Sequence, residues 1–183
     1  VTGPLTDFPA ARAEAEGRFP FIKKFRNVHI GTATGENKGG LGEFHFADDP
    51  TNPFPGQFAI SVGSESKNLP GGVSDTIIAD MVHAASALSP EFQGLKRELI
   101  GNFSDKELNL ARGRFIDDFQ GITPGSNFED FDSFINTFWS DGIIQDLLLP
   151  KGPKGPSEIE QFKRENPKAI PILNKIERMF RGE

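Results

Sequence analysis

Asp80 and His83 stand three residues apart in Ser74-Asp75-Thr76-Ile77-Ile78-Ala79-Asp80-Met81-Val82-His83-Ala84-Ala85-Ser86-Ala87-Leu88, the segment where helical apolar spacing and titratable groups coincide. At about 100° per residue, Ile77, Ile78, Met81, Val82, Ala84, Ala85 and Leu88 fall on one broad face, and Thr76, Asp80, His83 and Ala87 share another. A carboxylate at i and an imidazole at i+3 are neighbours on a helix. Asp80 can therefore orient His83, raise its basicity and leave its second nitrogen free as a general base or metal ligand. Ala79, Ser86 and Ala87 are small and leave room beside the pair for a substrate or another helix. The same pattern also fits a solvated helix face, or a buried histidine satisfied by a nearby carboxylate.

A metal at His83 needs two or three further ligands. The other histidines are His29 and His45, and the carboxylates that could contribute are Glu91, Glu98 and Glu107. Cysteine is absent, which removes thiol nucleophiles, disulfides and thiolate zinc sites from these 183 residues. Tyrosine is absent too, while phenylalanine occurs 18 times, so the core is built from rings without a polar handle.

The net charge of -6 is unevenly spread. Residues 151–183 hold eight Lys or Arg against five Glu, net +3, and residues 1–150 carry -9. An acidic body argues against a broad nucleic-acid surface, because phosphate binding needs clustered positive charge. No run approaches the ~18 apolar residues of a membrane span, and the first residues lack the basic-then-apolar layout of a signal peptide. Neither a membrane span nor export by that route is expected.

Asp7 to Gly17 reads as a helix with Asp7 as cap, Pro9 in the first turn and Gly17 as the stop. Val28, Ile30 and Thr32, then Phe44 and Phe46, then Phe58, Ile60 and Val62 alternate with period two between turn residues, which predicts three short strands. Asn27, His29, His45 and Ser61 fall on the opposite face, expected to be at least partly wet. Gly31 to Gly40 is rich in glycine but lacks the spacing of a phosphate loop, and it reads as a hairpin connection. Asp48 to Gly56 is a proline-pinned loop whose adjacent carboxylates are expected to be solvated turn residues.

After Gly71-Gly72 the pattern is helical throughout. Ser89-Pro90 opens a helix ending near Gly101, and Ser104 with Glu107 forms a capping box for a helix through Phe119. Phe128, Phe131, Phe134, Ile135 and Phe138 recur at helical spacing, with Gly142 a possible break. Lys151 to Pro156 is a Gly/Pro linker, followed by a helix capped by Ser157 and Glu160 and a last helix begun by Pro171. The apolar edge of that last helix, Ile172, Ile176, Met179 and Phe180, must dock on the body or on a protein partner, another copy included.

Two resemblances follow from these segments. A short sheet followed by a helix bearing Ala79-Asp80-Met81-Val82-His83 resembles the minimal zincin metallopeptidase layout, whose helix carries His-Glu-x-x-His. His83 lies on a ligand position, Asp80 falls where the catalytic Glu belongs, and Ala79 replaces a zinc ligand. The resemblance implies a degenerate zincin-like hydrolase using Asp80 and His83, with zinc as its cofactor.

Across 19–180, the segments Phe19-Pro20-Phe21-Ile22, Thr34-Gly35-Glu36, Asn52-Pro53-Phe54-Pro55-Gly56, Ile78 to His83 and Trp139 to Pro150 resemble an uncharacterised domain met in phage and prophage proteins. That resemblance implies a phage origin, location in the virion or the host bacterial cytoplasm, and no established chemistry. The expected architecture is α+β: a small, mostly antiparallel N-terminal sheet and a predominantly helical C-terminal half. Its expected organisation is a body over 1–150, with the linker and basic helical tail over 151–183. The leading functional expectation is a non-catalytic virion component or host-directed binding protein that needs no cofactor. A hydrolase using Asp80 and His83 is the alternative.

Overall fold

A computed structural model describes residues 8–34, 38–119, 131–149 and 156–183. The chain is α+β, with a small sheet near its start and a helical remainder. It forms two compact units, one from Val1–Leu88 joined by Arg178–Glu183, the other from Ser89–Glu177. Of the expected linker, 151–155 lie outside the described residues, as do Asp7 and Phe128. Among the described residues no helix is long and apolar enough to cross a membrane.

In the first unit, α1 (Phe8–Arg18) leads through a 3-10 turn (Pro20–Phe25) to β1 (His29–Thr32), β2 (Gly42–His45), β3 (Ala59–Val62) and α2 (Val73–Leu88). The strand order is β1-β3-β2. β3 pairs with β1 in parallel, His29 beside Ala59, and with β2 in antiparallel, His45 beside Ala59. The antiparallel expectation thus holds for one of the two strand pairs. β3 enters between the other two strands, so the glycine-rich segment after β1 does not close the expected hairpin. Residues 35–37 of that segment lie outside the described residues.

α2 is buried on more than its apolar face. Ile77, Ile78, Met81, Val82, Ala84 and Ala85 are fully enclosed, and Thr76 and Asp80 are buried as well. Gly42 allows this close packing, since a Cβ there would collide with the Thr76 methyl and lie 2.8 Å from Asp80 Oδ2. Arg18 ties α1 to α2 through Asp75 Oδ1 at 2.7 Å, and Asp75 Oδ2 accepts from the Gly71 N–H at 2.7 Å. Phe180, from the returning C-terminal segment, packs edge-on against Phe19 and Phe21, with ring centroids 6.3 and 5.0 Å apart.

In the second unit, α3 (Pro90–Gly101) starts as its sequence predicts, with Ser89 Oγ accepting from the Phe92 N–H. α4 (Asp105–Arg114) is capped by Ser104 and passes into a π turn over Phe115–Phe119. After 120–130, which lie outside the described residues, α5 (Phe131–Phe134), a second π turn (Ile135–Trp139) and α6 (Ser140–Leu148) run on without a break at Gly142. Along the phenylalanine stripe Phe134 is fully buried, and Phe138, stacked on it at 5.3 Å, is 47% exposed. The buried Lys96 Nζ meets Asp141 Oδ1 at 3.0 Å. α7 (Pro156–Glu165) precedes a 3-10 turn (Pro167–Ala169) and α8 (Ile170–Phe180). Asn166, its side chain accepting from the Ser104 N–H and donating to Phe162 O, fixes the α7 end to the α4 start.

The α8 edge was expected to dock on the body or on a protein partner. Ile172, Ile176 and Phe180 are buried and Met179 is half-buried. Burial of such a face is what an amphipathic helix requires.

Candidate functional site

The sheet separates the residues that a metal site would have to gather. Side chains alternate across a strand, so the face of β2 that carries Gly42, against Asp80, cannot also carry His45. His29 and His45 flank Ala59 in one row, on the sheet face turned away from Asp80. Glu91, Glu98 and Glu107 lie in the second unit, on α3 and α4. Among the described residues no three His, Asp or Glu side chains converge as a metal ion requires.

Asp80 is held in an unusual state. It is 6% exposed, and its Oδ2 is buried without a hydrogen-bond partner. Burial pushes its carboxyl from 3.8 up to about 7; nearby His83 opposes that rise and Glu43 adds to it. The expected Asp80 and His83 coupling is therefore present electrostatically, with Glu43 as a third member that sequence spacing did not bring out. Glu43 comes from β2, on the face that carries His45, with its Oε2 4.0 Å from His45 Nε2, and it reaches Asp80 through its charge. The arrangement supplies a carboxyl able to exchange a proton near neutrality beside an imidazole, but the Asp80 oxygen lies beneath the sheet.

The opposite sheet face, expected to be at least partly wet, is exposed at Asn27 and His29 and dry at its centre. His45 and Ser61 are each 1% exposed. His45 Nε2 is 2.8 Å from Ser61 Oγ, and its Nδ1 is 3.3 Å from Asp49 Oδ2. Asp49 also accepts from the Thr51 N–H and hydroxyl, and these bonds and His45 lower its pKa although burial works against them. Asp49 is thus more than a solvated turn residue. Asn52 ties down the same loop, donating to Phe46 O and Gln57 O and accepting from the Phe54 N–H. Phe54 then covers Gly31, where a side chain would strike its ring. The Asp48 to Gly56 segment is consequently a lid bonded to the sheet, and its geometry dries the centre of that face at His45 and Ser61.

Ser61, His45 and Asp49 stand in the order of a nucleophile, base and orienting carboxylate. The hydroxyl is sealed inside, so the set serves as a hydrogen-bonded clasp in this conformation.

A surface feature that the sequence reading passed over lies at the sheet. Phe44, Phe46 and Phe58 form a continuous aromatic cluster, with Phe44 stacked on Phe58 at 6.2 Å and Phe46 edge-on to both at 5.5 and 6.0 Å. Phe46 is 51% exposed and nearby in sequence Leu41 is 42% exposed. The period-two alternation carried the signal, but Phe46 and Phe58 lie just beyond the ends of β2 and β3, where enclosure fails.

No family model, no curated protein and no solved structure matches this chain.

Proposed function

We propose that this chain is a phage-associated, non-catalytic binding protein, a virion component or a host-directed binder, which engages a protein partner through the aromatic surface of its sheet. The observation that carries this reading is the Phe44, Phe46 and Phe58 cluster, whose Phe46 ring is half exposed. Phenylalanine left at a surface costs hydration free energy, and contiguous aromatic surface characterises docking faces. The sealed positions of Asp80 Oδ2 and Ser61 Oγ also favour binding over turnover. The phage assignment rests on the segment resemblances alone.

Co-purification tests the reading. The unmodified chain should bring down a defined particle or partner, and Phe46→Asp should lose that partner with its melting temperature unchanged. A monomer that retains nothing, or retains the same protein after Phe46→Asp, contradicts it.

One observation favours the alternative hydrolase of degenerate zincin-like type: Asp80, poised near neutrality, is coupled to His83. In that reading Asp80 exchanges the proton and His83 orients it or holds zinc. It requires Asp80→Asn or His83→Ala to abolish a measurable hydrolysis without loss of folding.

A further inference from the structure

The outer edge of β1 and the groove beside it form a second candidate binding surface, independent of the aromatic cluster. β1 lies at the edge of the sheet. Its His29 and Ala33 N–H groups donate inward to Phe58 O and Val62 O at 2.8 and 2.9 Å. In a parallel pair alternate residues turn their N–H and C=O toward the neighbouring strand, so Ile30, out of step with His29 and Ala33, presents both backbone groups at the open edge. Ile30 also lines a groove of about 450 Å³, within the ~300–1,000 Å³ range of small binding sites.

The chemistry of that groove is opposite to that of the chain. In a protein with 26 acidic and 20 basic residues, its lining among the described residues includes Arg12, Arg26, His29, Asn27 and Gln57 and no carboxylate. Arg12 is committed to structure, donating to Val28 O and Phe25 O at 2.7 and 2.6 Å and meeting Glu16 at 3.4 Å. These bonds brace the floor under the groove. The Arg26 side chain is exposed and, among the described residues, makes no hydrogen bond or ion pair. The exposed His29 ring is steadied edge-on by Phe54, 4.4 Å between centroids.

We infer that this groove takes a short acidic peptide in extended form. Its backbone pairs with Ile30 as an added strand, and its carboxylates meet Arg26 and His29. The open backbone edge selects a peptide over a free anion, and the lining charge selects acidic side chains.

Fluorescence anisotropy tests this on the full chain, with a labelled peptide of alternating valine and aspartate and its lysine counterpart as the probe pair. The acidic peptide should bind and weaken with added salt, and the lysine peptide should not bind. Arg26→Glu should weaken the acidic peptide by about tenfold or more, while Lys168→Glu, an equal charge change at an exposed residue of the second unit, should not. Arg26→Gln, a milder change, should weaken binding in the same direction with the thermal transition intact. The inference is overturned by absent acidic-peptide binding, by equal binding of the two peptides, or by insensitivity to both Arg26 variants. Displacement by inorganic phosphate as readily as by unlabelled peptide would make the groove a small-anion site. A dimer in light scattering that Arg26→Glu dissolves would make the occupant a second copy.

Discussion

At Asp80 the protein keeps a carboxyl where water and hydrogen-bond donors are both excluded from one oxygen. The raised pKa fixes the sign of a pH effect. The unfolded carboxyl titrates near 3.8 and the folded one near 7, so the native state holds the proton more tightly between those values. The stabilisation from protonated Asp80 is complete below about pH 4 and is lost as pH rises through about 7. Three pH units of difference amount to about 4 kcal/mol. Asp80→Asn cannot ionise, so its urea-unfolding free energy should lack this decline and its advantage over the unmodified protein should grow from pH 4 to pH 7. Parallel pH profiles for the two proteins would show that Asp80 is not buried as the structure has it. The same variant separates the functional readings, because loss of a hydrolysis alongside greater neutral stability would identify Asp80 as a catalytic acid.

The Asp80 and His83 pair was legible because i and i+3 spacing is a local property of a helix. Glu43 was not, since its approach depends on which strand lies over α2. His45, Ser61 and Asp49 escaped for the same reason: period-two alternation placed His45 and Ser61 on one face, and nothing local revealed that the Asp48 to Gly56 loop folds back to cover them.

At the scale of elements, the meeting of β2 and α2 depends on a missing side chain. Gly42→Ala would press a methyl against Thr76, Asp80 Oδ2 and, at 3.0 Å, the backbone oxygen of Ser61. Thr76 cannot turn freely, because its hydroxyl is 2.7 Å from Ser66 Oγ, which itself bonds to Leu41 O. The expected cost is about 1–3 kcal/mol in chemical denaturation, the usual range for overpacking. A change within about 0.5 kcal/mol would mean that the strand and helix can separate without loss.

Helix starts were read well from sequence, as Ser89-Pro90 and Ser104 show, because a cap and its first turn lie within four residues. The departures arose where hydrogen-bonding phase changed. The two π turns, Phe115–Phe119 and Ile135–Trp139, carry no residue that announces them, and helical spacing alone does not tell the buried Phe134 ring from the exposed Phe138 ring stacked on it. Strand pairing was similarly underdetermined, since alternation marks each strand but not its neighbour.

Over the whole chain, the apolar surface is divided between what the fold consumes and what it leaves outside. The α8 edge looked available in sequence and is buried at Ile172, Ile176 and Phe180, while the ordinary-looking alternation around Phe44 and Phe58 leaves the Phe46 ring beside them half exposed. The central claim is that this surface meets a specific protein. Site-specific photocrosslinking tests it most directly, with a photoreactive phenylalanine derivative at position 46 and, as a control, at exposed position 168. In extract of the cells that encode the protein, position 46 should give one discrete adduct that unlabelled protein competes away, and position 168 should not give it. No adduct from position 46, or the same adducts from both positions, would contradict the account.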